Sequence, residues 1–188
     1  MGTPTKDFSD TNNDDTPKSI LIMPIGPEHI GELLGLDPQN HTGENYLKHK
    51  AFFESFIGTG LVAMEPRSKA HPNGRAIGYA LLGHSAAFKK NMCLSNLFVH
   101  PDEPKREEYL ERLIEGSARL CMAKGLKQMD VLAISGSELA DKVSKQYAGR
   151  ENGTFKSNDV SATVYTISDL SGKFGYGVEK KKASELKL

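Results

Sequence analysis

The chain has 188 residues, 38% hydrophobic and 26% charged, with 24 basic and 24 acidic side chains and a formal net charge of zero. That composition supports one domain with an ordinary water-excluding core and excludes wholesale disorder. Balanced charge leaves no overall field to draw the chain onto nucleic acid or an anionic membrane, and no apolar run approaches the roughly 20 residues of a bilayer span, so neither partner is expected.

Residues 1–18 are polar, carry Asp7, Asp10, Asp14 and Asp15, and hold almost no large apolar side chain. Such a segment cannot offset its ordering entropy by burial, and it has no apolar stretch of the kind a secretory signal needs; it reads as a flexible acidic arm. Ser19 to Ile25 is the first predicted strand. Gly26-Pro27 opens a helical stretch with Ile30, Leu33 and Leu34 at helical spacing, closing near Asp37-Pro38. A second helix follows, in which Tyr46, Leu47, Phe52, Phe53, Phe56 and Ile57 are expected to form one apolar face ending at Gly58 and Gly60.

Leu61 to Glu65 and Ala76 to Leu82 read as hairpin strands joined through Pro72-Asn73-Gly74. Met92 to His100 is a fourth strand, its run of Cys93, Leu94, Leu97, Phe98 and Val99 predicting burial on both faces, and Pro101 stops it. The clearest helix follows, with Leu110, Leu113, Ile114, Ser117 and Cys121 on one face and Lys124-Gly125 as its exit. Met129 to Ile134 comes at once as a strand, so this strand, helix and strand form a parallel crossover. Ser137 caps a helix to Tyr147, and Thr163, Tyr165 and Ile167 alternate as a last strand. From Ser171 the chain holds Gly172, Gly175, Gly177 and Lys180-Lys181-Lys182, and reads as a flexible tail of charge opposite to the arm. The final Leu186-Lys187-Leu188 lacks the small residue of a peroxisomal address. Cys93 and Cys121 lie in apolar segments and are read as buried free thiols in a reducing compartment; no His, Cys or carboxylate spacing suits a metal, so none is expected.

This element order resembles the GNAT N-acetyltransferase superfamily over roughly residues 19–168. Ile77-Gly78-Tyr79-Ala80-Leu81-Leu82 is similar to that family's third strand, Leu94-Ser95-Asn96-Leu97-Phe98-Val99-His100-Pro101 to its fourth strand and cofactor loop, and Gly125 to Ala133 to the helix exit and fifth strand. The resemblance implies an α/β (α+β) fold, a mixed, mostly antiparallel twisted sheet flanked by helices, over residues 19–170, between the arm of 1–18 and the tail of 171–188. It also implies a fourth strand that splays from the fifth so that backbone at Phe98 and Val99 contacts the arm of acetyl-CoA. A tyrosine in the following helix would then protonate the departing thiolate, the place held here by Tyr147. Ser95 and Asn96 stand where a base would be sought, and neither can act as one. His84 and His100 lie close to the expected cleft, and His100 reads as a turn cap.

In the family a glycine-rich loop holds pyrophosphate at the helix's amino end, where free amides and the positive helix end stabilise anions. Here that stretch reads Lys105-Arg106-Glu107-Glu108-Tyr109-Leu110, and residues 101–115 contain no glycine. Glu103, Glu107 and Glu108 occupy the region with carboxylates, Asp102 is the expected cap, and Lys105 and Arg106 are the side chains left to grip phosphate. The reading therefore favours a non-catalytic binding or structural module of a larger assembly, a virion among them, over an active N-acetyltransferase moving an acetyl group from acetyl-CoA to an amine. Acetyl-CoA is expected as a cofactor only under the second reading. Partners are expected to be proteins, met through the oppositely charged tails, with self-association one option, and the setting to be cytoplasmic or within a large assembly rather than secreted.

Overall fold

The computed structural model describes residues 20–36, 44–67, 71, 74–85, 90–157 and 159–175. The expected acidic arm, the lysine run and the centre of the Pro72-Asn73-Gly74 turn lie outside them, apart from Gly74.

Seven strands form one sheet in the order β1-β2-β3-β4-β5-β7-β6. They are β1 (Leu21–Pro24), β2 (Leu61–Glu65), β3 (Arg75–His84), β4 (Met92–Val99), β5 (Gln128–Ile134), β6 (Arg150–Ser157) and β7 (Val160–Ser168). Every neighbouring pair is antiparallel except β4 and β5, which the long helix α3 (Arg106–Ala123) joins as a parallel crossover. The remaining helices are α1 (Ile30–Gly35), preceded by a 3-10 turn at Pro27–His29, α2 (Glu44–Glu54), α4 (Glu138–Lys145) and α5 (Leu170–Phe174).

Alternation along the strands divides the core in two. On one face Leu61, Ile77, Leu82, Leu94, Met129 and Val131 pack beneath Leu113, Ile114 and Cys121 of α3. On the other, Val62, Met64 and Leu81 pack with Ile25, Leu33, Leu34 and Phe53. The helix α3 ends as its sequence dictates: Gly125 takes φ +78°, Leu126 N–H donates to the Cys121 carbonyl at 3.0 Å, and β5 begins three residues later. Ser137 caps α4, its Oγ accepting from Ala140 N–H at 3.3 Å.

Four expectations are corrected. The apolar residues expected on one face of α2 are not buried together: Phe53 is buried against Tyr79, whereas Tyr46, Leu47, Phe52 and Ile57 are exposed, and Ile57 lies beyond the helix, which stops at Glu54. The strand β4 is not buried on both sides, since Ser95, Leu97 and Phe98 are half-buried and Asn96 is exposed. Residues 171–174, expected to belong to the tail, are instead part of α5, which sets Leu170 and Phe174 into the core. Finally, β6 is an additional strand: its polar Arg-Glu-Asn-Gly-Thr-Phe-Lys-Ser run lies at the sheet edge with its described side chains largely exposed, so no apolar pattern marks it.

Candidate functional site: the cleft between β4 and β5

The parallel pair is short. Met92, Cys93 and Leu94 pair with Met129, Asp130 and Val131, and no further rung forms between these strands. The break coincides with a bulge: Leu82 opposes Leu94 and Leu81 opposes Asn96, so Ser95 is an extra residue in β4, its Oγ donating to the Leu81 carbonyl at 3.2 Å. An extra residue bends and twists its strand, and here it turns β4 away from β5. The gap is a cleft of about 390 Å³ at the carboxyl ends of the two parallel strands, the usual place for ligands in such a crossover. Ser95, Asn96 and Leu97 form one wall and Leu132, Ala133 and Ile134 the other, with α3 and the start of α4 behind them.

Closed and open ends differ in what holds them. At the closed end Asp130, fully buried, accepts from Asn91 Nδ2 at 3.1 Å, from Thr166 Oγ1 at 2.5 Å and from Ser85 Oγ. Gln128 and Asn152 extend this network by donating to Asn91 and Thr166. One carboxylate thus ties β5 to β7 and to the approach of β4, and satisfied donors are what make a buried carboxylate tolerable.

At the open end the chemistry is ionic. Arg106 Nη1 lies 3.5 Å from Glu138 and 3.7 Å from Glu107, and Lys142 Nζ lies 2.6 Å from Glu107 and 3.3 Å from Glu111. Arg106 and Lys142 are the cations that line the cleft, and each meets two carboxylates of the chain itself. Hydrogen bonding with Glu138, then with Lys142, holds Glu107 below the ordinary carboxylate range. Partial burial alone would lower Lys142, but hydrogen bonding to Glu107 and the charges of Glu107 and Glu111 outweigh it and raise the ammonium. Further along, Glu103 is buried and held by Arg75 at 2.6 Å, which also pairs with Glu65 at 2.9 Å.

Three amides of the approach to α3 are likewise occupied. Glu103 N–H donates to the His100 carbonyl at 3.1 Å, Arg106 N–H to the Glu103 carbonyl at 3.0 Å, and Asp102 N–H to His100 Nδ1 at 3.3 Å. Asp102 is exposed and is not the cap expected of it; Lys105 holds that position without a side-chain hydrogen bond, because α3 starts at Arg106 rather than nearer Pro101.

The structure separates the other expected site residues. Lys105 is exposed and lies outside the cleft lining. Phe98 turns its ring to the far face, stacked on Tyr79 with centroids 5.4 Å apart, and its carbonyl oxygen lies against Gly78 of β3, where an added Cβ would come within 2.5 Å of it. His100 N–H also points to β3, to the Ile77 carbonyl at 2.9 Å, so by strand alternation the polar backbone of Val99 faces the gap although its side chain is buried. Tyr147 does not line the cleft: it is 7% exposed and tilted on Phe174 at 5.3 Å, with a buried hydroxyl that finds no partner among the described residues. Tyr147, expected to protonate a departing thiolate, thus takes a packing position in the core, not one that faces the cleft. Burial, then the charges of Glu111 and Glu115, push its phenol far above the ordinary range. Both thiols are buried and unreactive in character, burial first raising Cys93 to about 11 and Cys121 to about 12. Among the described residues no group of three or more His, Cys, Asp or Glu side chains could hold a metal ion, and no helix is long and apolar enough to cross a membrane.

Lys142, Glu138 and Glu111 are site residues that the sequence reading does not single out. Glu138 and Lys142 are four apart on α4, a common surface pattern, and only the approach of α4 to α3 gives it meaning.

No protein-family model and no curated protein sequence matches the chain. Solved structures do match. The chain is similar to a chain of the NatC complex bound to Gag peptide and CoA, with 11% identity and TM-score 0.60 over 79% of this chain and 98% of that one. It is similar to YncA of Salmonella typhimurium with its cofactor acetyl-CoA, with 14% identity and TM-score 0.57 over 79% and 93%. The ribosomal-protein-S18-alanine N-acetyltransferase of Escherichia coli matches with 13% identity and TM-score 0.57 over 80% and 94%. At such identities the likeness establishes the fold, and the fold is that of the GNAT N-acetyltransferases.

Proposed function

We propose that this GNAT-fold chain is a non-catalytic binding module, one that keeps the cleft between β4 and β5 without a grip for the phosphates of acetyl-CoA. The carrying observation is that Arg106 and Lys142, the cations of the cleft, are each claimed by two of the chain's own carboxylates. A phosphate entering there would have to displace Glu107 and Glu138 and would meet their repulsion at the helix start. The backbone before α3 has no glycine, and its Asp102, Glu103 and Arg106 amides are bonded locally, so the usual glycine-rich cradle is missing. The residues present therefore do not fit the diphosphate end of the cofactor held by two of the similar structures.

Active N-acetyl transfer from acetyl-CoA to an amine is the second reading, and one observation favours it. The splay itself is kept, with unpaired β4 backbone facing a gap of useful size. Calorimetry with acetyl-CoA on the full chain separates the two. The module reading expects no heat of binding up to millimolar cofactor in the wild type, and binding to appear when Glu107→Gln and Glu138→Gln are combined. Micromolar binding by the wild type, weakened by Arg106→Ala, would sink it and call for an amine acceptor screen.

A further inference from the structure

The opposite end of the sheet carries a second concavity with the reverse electrostatics. It is a groove of about 540 Å³ between the end of α2, the end of β3, the start of β4 and the turn from α3 into β5. Its floor is apolar: Leu82 is buried, and Phe56, Met92 and Leu126 are half-buried. Around that floor stand Lys90, Lys124 and His84, all exposed, and no Asp or Glu lines the groove. None of the three has an ion-pair partner among the described residues. In a chain of zero net charge, with acids elsewhere drawn onto Arg75, Arg106 and Lys142, the ammonium groups of Lys90 and Lys124, without an ion-pair partner among the described residues, are available to a ligand.

We propose that this groove binds an amphiphilic anion, a carboxylate or phosphate carried on an apolar body. The two ammonium groups and the imidazole would meet the anionic head through charge-assisted hydrogen bonds, and the four apolar side chains would take the body out of water. The volume suits a small molecule. Lys124 follows the last turn of α3, whose carbonyl end favours a nearby cation, and its side chain is exposed. None of the groove-lining residues lines the cleft between β4 and β5, so the site does not depend on how that cleft is used.

The test is calorimetric titration of the full chain with decanoate and with decyl phosphate as monomers, against neutral decanol. Binding of one or both below about 1 mM is expected, with decanol at least about tenfold weaker. The combination of Lys90→Gln and Lys124→Gln should weaken the anion about tenfold while an unchanged melting temperature shows that the fold survives, both side chains being exposed. A second variant, Leu126→Glu, should abolish binding by placing a carboxylate on the floor. Preference for one probe assigns the head group. No binding of either anion, equal binding of decanol, or retained affinity in the lysine variant overturns the proposal.

Discussion

The cleft mouth and the distal groove have similar raw material. Each offers cations beside an apolar wall: Arg106 and Lys142 above Leu110 and Ile114 in one, Lys90 and Lys124 around Leu82 and Leu126 in the other. They differ in the acids within reach. At the mouth, α3 and α4 deliver Glu107, Glu111 and Glu138 to the same cations, whereas no carboxylate lines the groove. A count of lysines and arginines is thus a poor guide to where an anion can bind. What matters is whether the fold has already spent each cation on an internal partner.

The largest expected effect tests the anchor between the two regions. Replacing Asp130 with alanine leaves the donors of Ser85, Asn91 and Thr166 without their acceptor in a buried site, which should cost about 2–4 kcal/mol in urea unfolding. Because Asn91 also lines the groove while the cleft opens beyond Leu94, groove binding should weaken along with stability. A loss under about 0.5 kcal/mol would make the network a bystander.

Next in size is the release of the cleft cations. The pair Glu107→Gln and Glu138→Gln should raise the affinity of the cleft for acetyl-CoA by at least about tenfold and leave decyl phosphate at the groove unchanged. Equal gains at both places would erase the distinction drawn here. A smaller effect comes from salt. Raising ionic strength from about 0.05 to 0.5 M should weaken groove binding several-fold, since exposed cations are screened over a Debye length of about 4–14 Å.

The smallest effect concerns acid. Glu107 has a folded pKa depressed below its unfolded value, so its contribution to stability is complete above the ordinary carboxylate value of about 4.3 and is lost as pH falls through the lower folded value. The difference in urea midpoint between wild type and Glu107→Gln should therefore shrink between about pH 5 and pH 3, and by little, because Glu107 is half exposed to solvent. A difference that grows on acidification would contradict the ion-pair assignment.

Much of the fold was legible from one dimension. The stripe of Leu110, Leu113, Ile114, Ser117 and Cys121 marks α3, Gly125 marks its exit, Ser137 marks the start of α4, and the order of elements marks a parallel crossover, all because helical period, left-handed glycine and capping hydroxyl are local in origin. The edge strand β6 escaped, since its side chains are largely exposed and carry no apolar alternation. The face expected of α2 failed for the converse reason: a helical pattern says which residues would share a side, not whether anything packs on it.

For the site, the sequence alone determined that the stretch before α3 has no glycine and several acids, which is enough to reject the usual backbone cradle for phosphate. Only the tertiary structure decided that Ser95 is a bulge that parts β4 from β5, that Tyr147 is buried beside Phe174 and not in the cleft, and that Lys142 reaches Glu107 across 35 residues of chain. Bulge position depends on the register of a neighbouring strand, and ion pairing falls off over a few ångströms whatever the separation in sequence, so neither is written in any local run of residues.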